Sequence, residues 1–65
     1  MVFELYTIKD LIAQEYGPIF QAKNKAVAER NFANLLEKQN LKEEEFFLEQ
    51  IGTFDNESGV LDSQT

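Results

Sequence analysis

The chain has 65 residues, a formal net charge of −6, and neither cysteine nor histidine. That length holds one domain, near the lower limit at which a hydrophobic core sustains itself. The missing residue types exclude structural disulfides, thiolate nucleophiles, zinc sites of the Cys/His kind and any histidine general base. The sequence therefore reads as a binding protein, not an enzyme, with no cofactor and no metal, and with homodimerisation in place of a covalent or metal staple. No uncharged run approaches the length that crosses a bilayer, and no basic leader with an apolar stretch opens the chain, so a cytoplasmic location without membrane attachment is expected.

Residues Val2 to Ile8 are rich in β-branched and aromatic types and alternate, which predicts a first strand. Phe3, Leu5 and Thr7 fall on one side of it, and Val2, Glu4, Tyr6 and Ile8 on the other. Leu11 to Tyr16 reads as a connection, with a pattern that also suits a short helical turn. Gly17 and Pro18 break it, and a second strand is expected from Pro18 to Ala22 at an edge or bulge. Asn24 is a suitable N-cap for a helix over residues 25 to 39. There Ala28, Phe32, Leu35 and Leu36 form one apolar stripe, and Asn40 suits the left-handed residue that ends a helix.

Leu41 to Glu45 is a charged connector, and Phe46 to Phe54 reads as the third strand, with Gly52 marking a bulge. A turn over residues 55 to 59, with Gly59 at positive φ, returns the chain into a short fourth strand at Val60 and Leu61. The fold expected is α+β: an antiparallel sheet of three to four strands, in the order β-β-α-β-β along the chain, with the amphipathic helix packed on one face. Residues 1–61 make the domain, and residues 62–65 a frayed tail.

Charge is unevenly placed. Residues 1 to 30 are neutral, with Lys9, Lys23, Lys25 and Arg30 set against four acids; the excess lies wholly after residue 31. Net acidity opposes binding to nucleic acid by bulk electrostatics, yet a local basic face in the first half stays open. Six phenylalanines and two tyrosines are more than one sheet face can bury. With Phe3, Phe20, Phe32 and Phe47 assigned to the helix side, Tyr6, Phe46, Tyr16 and Phe54 remain for the other. Aromatics beside Lys9, Lys23 and Lys25 are what a single-strand platform uses for stacking, and the same surplus serves a dimer interface. The candidate nucleic-acid site is thus Lys9, Lys23, Lys25, Arg30, Tyr6 and Tyr16. The run Glu43, Glu44 and Glu45 is a solvated connector in one reading and a surface for a basic partner in the other.

Four segments carry a resemblance to a known family. They are Leu5 to Asp10 with Ala13 beyond, Pro18-Ile19-Phe20 leading to Ala22-Lys23-Asn24, Val27 to Phe32 in the helix, and Ile51 to Gly59. In this order they resemble the small nonstructural protein of gokushoviruses, single-stranded-DNA phages of the Microviridae. The resemblance implies a phage protein of the host cytoplasm that binds single-stranded DNA or a replication-complex component. It carries no catalytic motif, and the segment between helix and third strand is shorter here than in many members. The alternative is an acidic protein–protein module, acting through its C-terminal half as a nucleic-acid-charge mimic, inhibitor or assembly factor.

Overall fold

The computed structural model describes residues 1–64. Five strands and one helix follow one another as β1 (Val2–Asp10), β2 (Glu15–Tyr16), β3 (Phe20–Ala22), α1 (Lys25–Lys38), β4 (Phe46–Asp55) and β5 (Leu61–Ser63), with a single 3-10 turn at Glu43–Glu45. The class is α+β, with a curled antiparallel sheet. Across it, β2 and β3 share one edge of β1, β4 takes the other, and β5 lies outside β4. Among the described residues no helix is long and apolar enough to cross a membrane.

The local signals around the helix operate as the residue types demand. The Asn24 side chain accepts from the Val27 amide at 2.9 Å, which satisfies one of the free donors of the first turn. At the other end Asn40 takes φ 55°, and the Leu41 and Asn40 amides donate to the carbonyls of Leu36 and Glu37. That pair of bonds closes the helix in the Schellman pattern.

The sheet differs from the expected segments in two places. Glu15–Tyr16, expected to lie within a connection, forms a two-residue strand against Lys9 and Asp10. Asp62 and Ser63, expected in the tail, pair with Thr53 and Gly52 in β5; Thr65 lies outside the described residues. The bulge falls beside Gly52, as the glycine suggested. Leu5 pairs with Gly52 while Tyr6 pairs with Gln50, leaving Ile51 as the extra residue. Alternation along β4 therefore reverses at residue 51. Gly52 is required at this place, because a Cβ there would collide with the Asp62 carbonyl oxygen.

The main correction concerns which side of β1 meets the helix. Tyr6, Ala22 and Ala28 form the centre of the core, with Phe20, Val27 and Leu48 packed on it. Tyr6 and Phe20 stack with ring centres 6.1 Å apart. Tyr6, expected on the open face, is thus buried, and Phe3, expected against the helix, lies on the opposite side of β1. The two alanines explain the choice, since only small side chains on β3 and α1 leave room for a tyrosine ring between them. The Tyr6 hydroxyl remains paired, donating to the Glu4 carboxylate. Burial, reinforced by that bond, pushes its pKa from 10.0 up to about 12.

Candidate nucleic-acid interface

The hairpin from β1 to β2 contains no glycine, yet it reverses the chain in four residues. The Asp10 carboxylate accepts from the amides of Ile12 and Ala13 at 3.0 and 3.1 Å, and Gln14 takes φ 57°. Asp10 thereby supplies the turn its own hydrogen bonds. The consequence is a register in which Tyr16 stands opposite Lys9, while on the other edge of β1 Lys9 stands opposite Phe47 of β4. Partners directly across a ladder project to the same face.

Tyr16, Lys9 and Phe47 therefore form one row across three strands, on the face away from Tyr6. Tyr16 is 58% exposed and Phe47 55% exposed. The Lys9 ammonium lies 5.4 Å from the centre of the Tyr16 ring, within cation–π range. A cation between two solvent-facing rings offers a base on either side a π surface and a phosphate an ammonium. Glu49, two residues along β4 and opposite Thr7, is the nearest acid on this face by register. Thr7 itself is sealed beneath the next connection, its hydroxyl donating to the carbonyls of Gly17 at 3.0 Å and Pro18 at 3.3 Å.

The structure does not bring the sequence-derived site together. Tyr6 is in the core, where no base can reach its ring. Lys23 follows Ala22, whose partner on β1 is Glu4; five residues of strand, about 17 Å, separate that position from Lys9. Lys25 pairs with Glu29 at 3.9 Å along the helix, and Arg30 is on the exposed helix surface. Only Lys9 and Tyr16 of the six share one spot. Phe47 completes it, on the face opposite to the helix side expected of it. Its signal was the Phe46-Phe47 doublet, because a strand must send one of two consecutive side chains to each face.

The other end of the same face has a different character. Phe3, Phe54 and Leu61 line up across β1, β4 and β5, beside Leu5, Gly52 and Ser63. Leu5, Ile19, Ile51 and Leu61 line a shallow hollow of about 260 Å³. Ile19 and Leu61 are each 64% exposed. Apart from Asp62 at the hollow's edge, none of these side chains ionises.

These features define a small α+β domain whose curled sheet carries exposed aromatic side chains on one face, with a single lysine among them at one end and an apolar hollow at the other. Comparison with known families places it further. Residues 3–65 match the family described as Phage ORF5 protein, and with nearly the whole chain covered, the protein belongs to that family. Neither a curated protein nor a solved structure shows significant similarity to it.

Proposed function

We propose that this phage protein binds single-stranded DNA through the row of Tyr16, Lys9 and Phe47, acting in the host cytoplasm during viral DNA synthesis, alone or within a replication complex. The observation that carries the reading is the placement of two exposed rings on either side of one lysine. Family membership supports the phage context, and the resemblance to gokushovirus nonstructural proteins supports the link to single-strand synthesis. The net charge of −6 limits how much of the affinity can come from phosphates. Stacking has to supply most of it, and a base on an aromatic ring contributes about 1–3 kcal/mol. The apolar end of the face is the place for a second copy.

A fluorescence-anisotropy titration with a labelled oligothymidylate at low salt tests the proposal. Binding is expected, with Phe47→Ala and Tyr16→Ala each losing about 1–3 kcal/mol. One lysine at the site predicts a salt slope no steeper than about −1, since each single-strand phosphate neutralised contributes about −0.7. Absence of binding at high protein concentration, or full affinity in the double variant, refutes it.

A further inference from the structure

The layer above β4 is incomplete. α1 lies nearest β3 and β1, drawn there by Ala28, which is completely buried against Tyr6 and Ala22. A helix is about 10 Å across and strands are about 4.8 Å apart, so a single helix spans about two strands. Beyond it, a groove of about 930 Å³ runs between α1 and β4. Its floor is apolar, made of Phe32 and Leu36 from α1, Leu41 from the connection, and Phe46 and Leu48 from β4. Its rim is acidic, with Glu43 and Glu44 on one side and Glu29 on the other. The rim's single cation, Lys25, is engaged by Glu29 at 3.9 Å, which leaves Glu43 and Glu44 unmatched.

We propose that this groove receives a basic amphipathic helix from a partner protein. Charge complementarity sets the sign, since lysines or arginines flanking an apolar stripe would meet Glu43 and Glu44 as the stripe fills the floor. Backbone chemistry sets the shape. The floor consists of apolar side chains, which offer no hydrogen bonds to a backbone lying on them. A helix satisfies its own amides and carbonyls internally. The seated helix would complete the layer that α1 begins, with Leu36 and Leu48 at its centre. Phe47, a member of the row with Tyr16 and Lys9, also lines this groove; Glu43, Glu44 and Leu41 have no part in that row, so variants at these three positions separate this inference from the nucleic-acid reading.

The probe is a labelled Lys/Leu amphipathic helical peptide of 14 residues, the length of α1, titrated into the full chain and followed by anisotropy and peptide NMR. The wild-type protein should bind it as a helix. Glu43→Lys combined with Glu44→Lys should weaken binding about tenfold or more, and Leu41→Glu should do likewise. Both sites are exposed, and circular dichroism verifies that the variants fold. Glu57→Lys, at the distant 83%-exposed turn, should change affinity less than about twofold. The proposal is overturned if the peptide does not bind, if a scrambled peptide of the same composition binds equally, if Glu57→Lys weakens binding as much, or if the bound peptide is extended. Self-association abolished by Leu41→Glu would assign the groove to a second copy and overturn it as well.

Discussion

The two faces of one sheet have similar aromatic content and different exposure. On the helix side, Tyr6 and Phe20 stack within a cluster closed by two alanines, and the one polar atom carried in, the Tyr6 hydroxyl, keeps a partner in Glu4. On the other side, Tyr16 and Phe47 stand in solvent on either side of a lysine that holds no ion pair among the described residues. The difference teaches that aromatic content does not decide between core and platform in so small a domain. What decides is whether small residues on the neighbouring elements make room for the ring.

That contrast can be broken most forcefully at Tyr6. Tyr6→Ala removes the ring at the centre of the core and should cost about 3–5 kcal/mol in chemical denaturation. Phe47→Ala should cost under about 1 kcal/mol, since its ring is more than half exposed already. Equal losses at the two positions would erase the distinction between the faces. Gly52→Ala ranks next, at about 1–3 kcal/mol. A methyl group that collides with the Asp62 carbonyl oxygen must push β5 from β4, and amide exchange at residues 61 to 63 should quicken while that at Tyr6 stays slow.

The smallest effect is on pH dependence. Tyr6 has a folded pKa of about 12 against 10.0 for an ordinary tyrosine, so above pH 10 the unfolded chain releases this proton first. Stability should therefore be unaffected by this group below pH 10 and fall between pH 10 and about 12. Tyr6→Phe should remove that part of the slope at a cost of about 1 kcal/mol for the lost hydrogen bond. An unchanged alkaline slope in the variant would mean that the hydroxyl is solvated. At the acid end, Asp55 accepts from the Glu57 amide at 2.9 Å, which with further bonds and the N-terminal ammonium holds its pKa below the ordinary value. Its contribution is present at neutral pH and is lost as pH falls through that lowered value.

Features encoded within a few residues were legible in the sequence. Asn24, Asn40, Gly52 and Gly59 each mark a cap, a bulge or a turn through a local backbone need that the residue type itself meets. The phase of β1 was not legible, because Phe3 and Leu5 on one side are as apolar as Tyr6 and Ile8 on the other. A period of two cannot say which set meets a helix; Ala22 and Ala28, distant in sequence, make that choice. The site was half legible for the same reason. Lys9 and Tyr16 were singled out by type, but their meeting depends on the turn built by Asp10 and Gln14, and Phe47 joins them only through the register of β1 with β4. Lys23, Lys25 and Arg30 were grouped with them by nearness in sequence, and the fold distributes them elsewhere.

Amide shift mapping of the isotope-labelled protein with unlabelled oligothymidylate tests the central claim most directly. Shifts concentrated at Lys9, Tyr16 and Phe47, with Tyr6 and Ala28 unmoved, are the predicted result. Shifts confined to the helix surface around Lys25 and Arg30, or no shifts at saturating oligonucleotide, would contradict it.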